Sequence, residues 1–193
     1  PSIWWYVLAG FIDLQANFLI ISAYSFTSIT SVAIIDCFSI PSVMLISFFL
    51  LRSRYQWKHY FGVSLCIAGV LGIIANDTWI KSEGSDKGRE GQTSLTGDLL
   101  AVGGAFLYAC SNVLQEKMVK YGEREQYVGR IGLFGMGFAT ALFFSMEWVD
   151  FERALPLSLE AGMYIVGFVM CLFFFYTNTS QFLTQNDAVL FNL

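Results

Sequence analysis

The sequence predicts an all-α membrane protein whose chain crosses the bilayer several times. Of its 193 residues, 55% are hydrophobic and only 13% are charged, whereas the surface of a soluble domain needs about a quarter charged residues. The second observation is the length of the apolar runs, because a helix needs about 20 apolar residues to cross the hydrocarbon core of a bilayer. Successive runs of about this length predict a polytopic helical fold.

Six segments qualify as membrane spans by length and apolar content. Their predicted ranges are 4–24, 29–51, 60–76, 95–119, 128–148 and 161–183. The third is the shortest, and a seventh apolar segment begins near Ala188. Short connections between most of them predict helices that run up and down through the membrane.

The segment 77–94 separates the third and fourth spans and has a different composition. It is rich in glycine, serine and charged residues, which is typical of an exposed flexible loop. We therefore predict an internal boundary here, with three spans in residues 1–76 and the rest in residues 95–193.

The distribution of Lys and Arg predicts the orientation of the spans. The connections between spans two and three and between spans four and five carry seven of the eleven basic residues, and the opposite side carries four. Because cytoplasmic loops carry an excess of Lys and Arg, the loop 77–94 is predicted to be non-cytoplasmic.

Polar side chains inside the spans are the candidate substrate-binding residues. A charged side chain at the centre of a bilayer costs about 2.5–3.5 kcal/mol, so such residues usually face the bundle interior or a wet cavity. The alternative for any single amide or hydroxyl is a hydrogen bond that only holds two helices together. The candidates are Asp13 and Asn17 in span one, Asp36 in span two, Tyr108 and Asn112 in span four, and Asn178 in span six.

Asp36 lies five residues before Pro41 in the second span. Proline has no N–H group to donate, so we expect a structural kink at Pro41 and an unpaired carbonyl at Cys37, beside the carboxylate. Water, a proton or a polar solute could be held at such a point. The alternative is that Asp36 forms an interhelical hydrogen bond with Asn17 or Tyr24.

Small residues recur every four positions in two of the spans, which predicts faces where helices approach closely. We expect these small residues to pack helices together and to have no chemical role. Asp98, near the start of span four, is expected to complement the helix N-terminus rather than to contact solute. The two predicted packing faces are Gly97, Ala101, Ala105 and Ala109 on span four and Ser64, Ala68 and Gly72 on span three.

Several classes of site and partner are not expected. All four cysteines lie in apolar runs, so we predict neither a disulfide framework nor a metal site, and no motif points to a cofactor. The net charge is −4 and no basic tract is present, which argues against nucleic acid as a partner. The expected partners are a small-molecule solute and the lipid bilayer, and a homodimer is left open.

Two stretches resemble a known transporter family. "AYSFTSITSVAIIDCFSIPSVML" and "TGDLLAVGGAFLYACSNVLQEKMVK" are similar to the drug/metabolite transporter superfamily, and within it to the F subfamily of solute carrier family 35, relatives of the nucleotide-sugar transporters. The resemblance implies a ten-helix fold of two five-helix inverted repeats. This chain would be a fragment that supplies helices three to eight and the start of nine, with the loop 77–94 joining the repeats.

The resemblance also implies a function. Helices three, four, six, eight and nine would line a central cavity, and these correspond to spans one, two, four and six and to the segment that begins near Ala188. Transport of a nucleotide sugar, a nucleoside or a related metabolite by alternating access is then expected, in the plasma membrane or an endomembrane. Asp187 and Asn192 stand where the resemblance leads us to expect small or apolar residues.

Two other functions remain as alternatives. Two intramembrane aspartates could form an aspartyl protease, whose carboxylates share a proton, but that family presents Tyr-Asp and Gly-x-Gly-Asp, whereas Asp13 and Asp36 stand in "FID" and "IID". We therefore do not expect an enzyme. A membrane receptor or scaffold without transport is the second alternative.

Overall fold

The computed structural model describes residues 2–52, 55, 57–82, 95–155 and 158–192, with the backbone alone at 58, 76–82 and 154. Throughout this part of the chain the regular structure is helical and no strand occurs, so the predicted all-α class is confirmed. The α-helices are α1 (Ile3–Tyr24), α2 (Ile29–Asp36), α3 (Ser39–Leu50), α4 (Trp57–Ser82), α5 (Leu95–Tyr121), α6 (Arg124–Leu142), α7 (Trp148–Ala154), α8 (Leu159–Gln185) and α9 (Ala188–Asn192).

Five stretches are long and apolar enough to cross a membrane, and they coincide with predicted spans one, two, four, five and six. They are Ile3–Ala23, Ile29–Leu50, Leu95–Tyr121, Arg124–Arg153 and Leu159–Gln185. The predicted third span corresponds to a shorter apolar stretch of α4, His59–Ala75. The chain is therefore a multi-pass integral membrane protein.

The helix α4 extends beyond its apolar part. It ends at Ser82, so the first residues of the segment predicted as a loop continue the helix, while residues 83–94 lie outside the described part of the chain. The non-cytoplasmic orientation of this segment stays a prediction.

The chain divides into two compact units. Unit one comprises Pro1–Phe11 and Gln115–Asp187, and unit two comprises Ile12–Leu114 and Ala188–Leu193. The divisions fall within α1 and α5, each of which contributes residues to both units. The predicted repeats 1–76 and 95–193 remain a prediction, because inverted repeats need not form separate compact units.

Unit two is built around a small apolar core where α1, α2, α4 and α5 meet. The helix α3 packs against both α4 and α9. The buried apolar side chains of the core fill the space between the helices. The core residues are Ile20 and Ala23 of α1, Val32 and Ile35 of α2, Val70 of α4, and Ala101 of α5.

The small residues of α5 allow it to approach α1 closely. Ala101, Ala105 and Ala109 are fully buried. A Cβ atom placed on the neighbouring Gly104 would lie 2.7 Å from Cγ1 of Ile20, which is closer than carbon atoms can pack. The face predicted for span four is therefore a true packing face.

The corresponding prediction for span three is wrong in the described chain. Ser64, Ala68 and Gly72 are exposed on α4, and a Cβ atom on Gly72 would meet no atom within 4 Å. The physical reason is helical geometry, because at 100° per residue this stripe lies on the opposite side of α4 from Val70, the residue that enters the core.

Unit one brings the start of α1 against α6. The rings of Tyr6 and Tyr127 have centroids 6.3 Å apart, and those of Phe11 and Phe138 are 5.5 Å apart in an edge-to-face arrangement. The helix α6 also packs against α8. Residues 163–175 of α8 are exposed and almost entirely apolar, as expected for a surface that meets lipid or further helices.

Candidate functional site

Two hydrogen bonds join polar side chains of α1 and α5 in the middle of unit two. The hydroxyl of Ser111 donates to Oδ1 of Asp13 at 3.0 Å, and the hydroxyl of Tyr108 donates to Oδ1 of Asn17 at 2.7 Å. The Asn17 amide in turn donates to the backbone carbonyl of Asp13 at 2.8 Å. Asp13 and Asn17 are four residues apart, and Tyr108 and Ser111 three apart, so each pair lies on one helical face.

A further hydrogen bond connects α5 to α9. Nδ2 of Asn112 donates to Oδ1 of Asn192 at 3.1 Å, and Nδ2 of Asn192 donates to the carbonyl of Ala188 at 2.7 Å. Sequence reasoning did not select Asn192 as a binding candidate. The signal that could have identified it is an amide inside an otherwise apolar segment.

Asp36 lies at a break in the second span. The helix α2 ends at Asp36 and α3 begins at Ser39, and Pro41 lies in the first turn of α3, where a missing N–H group is tolerated. The chain turns at Cys37 and Phe38, whose N–H groups donate to the carbonyls of residues 34 and 35 at 3.2 and 2.8 Å.

The expectation that the carbonyl of Cys37 is unpaired, because Pro41 cannot donate to it, is wrong. Instead the carbonyl accepts a hydrogen bond from the N–H of Ile40 at 3.1 Å and another from the thiol of Cys66 at 3.1 Å. The shorter turn and a side chain from α4 therefore satisfy this acceptor.

The carboxylate of Asp36 is less well satisfied. Its Oδ1 atom is buried and has no hydrogen-bond partner among the described residues. Both polar atoms of Asn17, one of its two expected partners, are engaged with Tyr108 and with the backbone of Asp13.

Asp36 nevertheless lies near the other polar groups of unit two. The Tyr108 ring packs against the core that contains Ile35, the residue before Asp36. We use the name polar cluster for the following residues of unit two: Asp13, Asn17, Asp36, Tyr108, Ser111, Asn112 and Asn192.

The sixth candidate, Asn178, belongs to unit one. Its side chain is exposed on α8 and its amide donates to the carbonyl of Phe174 in the same helix at 2.7 Å. The buried polar residues of this part of α8 are the two that follow, Thr179 and Ser180. Ser180 accepts a hydrogen bond from the buried amide of Gln115 at 2.9 Å.

Unit one contains a second group of polar contacts near the end of α5. Lys120 forms an ion pair of 2.7 Å with Glu116, whose side chain is almost completely buried. Lys117 lies over the ring of Trp5, and Arg130 lies over the ring of Tyr6. Each of these three basic groups therefore has an aromatic or acidic neighbour within unit one.

Asp98 behaves largely as expected from its position at the start of α5. It is fully buried in the first turn of the helix, where a carboxylate complements the helix dipole. Its Oδ1 also accepts a hydrogen bond from the Thr27 hydroxyl at 3.0 Å. It thus holds the connection between α1 and α2 against α5.

Comparison with known proteins relates the sequence of the chain to one family. The sequence profile of solute carrier family 35 (SLC35F) matches residues 2–193. The mouse protein named solute carrier family 35 member F2 is 36% identical over 191 residues, which are 98% of this chain and 50% of that protein. The Xenopus tropicalis protein of the same name is 34% identical over 98% of this chain and 49% of that protein.

A more distant relative comes from fission yeast. An uncharacterized solute carrier family 35 member of Schizosaccharomyces pombe is 25% identical over 194 residues, covering 98% of this chain and 36% of that protein. The chain therefore spans half or less of the length of these curated relatives.

Proposed function

Because the chain belongs to solute carrier family 35, we propose that it forms part of a membrane transporter that moves a small polar organic solute by alternating access. The class to be considered comprises nucleotide sugars, nucleosides and related metabolites. The observation that carries this proposal is the polar cluster, in which hydrogen bonds join side chains of α1, α5 and α9 within otherwise apolar segments.

The energetics of the membrane support a role for the cluster beyond helix packing. A charged side chain at the centre of a bilayer costs about 2.5–3.5 kcal/mol, whereas a hydrogen bond between membrane helices contributes about 0.6 kcal/mol. The hydrogen bond from Ser111 to Asp13 does not by itself offset that cost, and Oδ1 of Asp36 has no such bond among the described residues. Binding of a polar solute is a reason to retain both carboxylates.

The break between α2 and α3 supports the same proposal. Transporters commonly place discontinuous helices beside their binding sites, because interrupted backbone can bend as the site opens to one side and then to the other. Here the break follows Asp36 directly. In the proposed mechanism, the polar cluster is the binding site that opens first to one side of the membrane and then to the other.

A protease is less well supported by the geometry. Aspartyl proteases require two carboxylates close enough to share a proton. Asp13 accepts from Ser111, and Oδ1 of Asp36 has no hydrogen-bond partner in the described chain. We therefore do not propose an enzymatic activity.

The test is solute uptake by the full-length protein. Sealed vesicles containing the purified protein are screened with radiolabelled nucleotide sugars, nucleosides and related metabolites. Saturable accumulation that is lost when the vesicles are made leaky supports transport. Saturable binding without accumulation would support a receptor or scaffold and contradict the proposed function.

A further inference from the structure

The charge of the membrane segments in unit two has one sign. Asp13 and Asp36 lie inside them, and Asp98 lies at the start of α5. The sequence has no Lys or Arg in residues 12–51, 95–114 or 188–193, and the lysines of α4 stand near its two ends, at positions 58 and 81. The polar cluster therefore carries two carboxylates, and the parts of α1, α2, α5 and α9 that lie in unit two contain no Lys or Arg.

The hydrogen bonds of the cluster show which kind of partner it lacks. Each amide nitrogen and each hydroxyl in the cluster donates at least one hydrogen bond within the described chain. These donors are Asn17 Nδ2, the Tyr108 hydroxyl, the Ser111 hydroxyl, Asn112 Nδ2 and Asn192 Nδ2. The buried atom without a partner is an acceptor, Oδ1 of Asp36.

The diphosphate group of a nucleotide sugar is poorly matched to such a site. Proteins usually hold phosphate oxygens with Arg, with Lys or with the N–H groups of a helix N-terminus. A diphosphate beside Asp13 and Asp36 would bring negative charge next to negative charge, and such pairs cost several kcal/mol where water is excluded.

A positively charged nitrogen is instead attracted to the same carboxylates. It can donate to the buried oxygen of Asp36 in a charge-assisted hydrogen bond. The aromatic ring of Tyr108, which packs against the core that contains Ile35, is a group that attracts cations to its face.

We propose that the polar cluster binds the cationic nitrogen of an organic solute, with Asp36 as its direct partner and Asp13 as the second carboxylate. The inference rests on the proposed transport function and names the substrate class of the same site. Within the class considered above, it favours amine-bearing metabolites over nucleotide sugars.

The test compares the uptake of solutes that share one ring system and differ in charge. Full-length protein in proteoliposomes is offered tryptamine, tryptophol and indole-3-acetate, which share one ring system and are cationic, neutral and anionic. Tetraethylammonium is a second cation, and UDP-glucose and GDP-mannose are nucleotide-sugar probes. We expect saturable uptake of at least one cation, about tenfold or more above that of the neutral, anionic and nucleotide-sugar probes.

Two variants link the result to the site. Asp36→Asn is expected to lower cation uptake by about tenfold or more, while Asp150→Asn, which alters an exposed carboxylate of α7, leaves uptake unchanged. Equal uptake by Asp36→Asn and the parent would overturn the assignment of Asp36.

The outcomes also separate this inference from the proposed function. Uptake of a nucleotide sugar or a neutral probe, with the cations at background, overturns the substrate class and leaves transport standing. Background uptake of every probe in the charge series and in the metabolite screen would count against both.

Discussion

The hydroxyl of Tyr108 on α5 donates a 2.7 Å hydrogen bond to Oδ1 of Asn17 on α1, a residue 91 positions away in the sequence. This bond and the one from Ser111 to Asp13 connect the same two helices. Both pairs come from residues spaced three or four apart on their helices, so two local helical faces meet and form the centre of the polar cluster.

Replacing Tyr108 by Phe removes this hydrogen bond while keeping the ring. We expect the free energy of unfolding of the full-length protein to fall by about 0.6 kcal/mol, and by no more than about 1.7 kcal/mol, as for other hydrogen bonds between membrane helices. Uptake should fall several-fold because Asn17 loses its partner. Tyr164→Phe is the matched control, since Tyr164 is exposed on α8. Parental uptake by Tyr108→Phe would show that the bond is dispensable for transport.

Three substitutions at the break between α2 and α3 distinguish a functional carboxylate from a structural one. Asp36→Asn keeps the size of the side chain and removes its charge, so it should reach the membrane at normal levels and lose most transport. Pro41→Ala should have a milder effect, because the acceptor at Cys37 is already satisfied by Ile40 and Cys66. Surface expression and uptake are measured together. If only Asp36→Leu fails, through misfolding, the carboxylate is structural.

Gly97→Ala should destabilise the protein. A Cβ atom at this position would lie 2.9 Å from the Cβ atoms of Phe26 and Thr27, and relief of such a contact costs about 1–3 kcal/mol. Gly72→Ala is the control, because a Cβ atom there meets nothing within 4 Å and alanine favours the helix. Thermal unfolding in detergent should show a lower midpoint for Gly97→Ala alone. Equal midpoints would mean that α5 can shift without cost.

The orientation predicted from Lys and Arg is tested by chemical labelling. A single cysteine at position 85, in a full-length protein without its other cysteines, should react with an impermeant maleimide from the non-cytoplasmic side. That side is the outside of intact cells or the lumen of organelle vesicles. Labelling only after the cytosolic face is exposed would reverse the predicted orientation.

Much of the polar cluster followed from the position of polar side chains inside apolar spans. Asp13 with Asn17, and Tyr108 with Asn112, are candidates because polar groups in such spans usually face the bundle interior or a wet cavity. Asn192 was missed because its segment offered a single amide and no repeated face. One donor to the Cys37 carbonyl, Cys66, was missed for another reason, since it comes from a different helix 29 positions away.

The sequence by itself determined the helical class, the positions of the membrane spans and the small-residue face of α5. These properties depend on composition and on spacing within one helix, which the chain carries locally. Only the tertiary structure decided that the small-residue stripe of α4 lies away from the core and that Asn112 meets Asn192. The physical reason is that a helical face specifies which residues lie together, while the packing of neighbouring helices decides what that face meets.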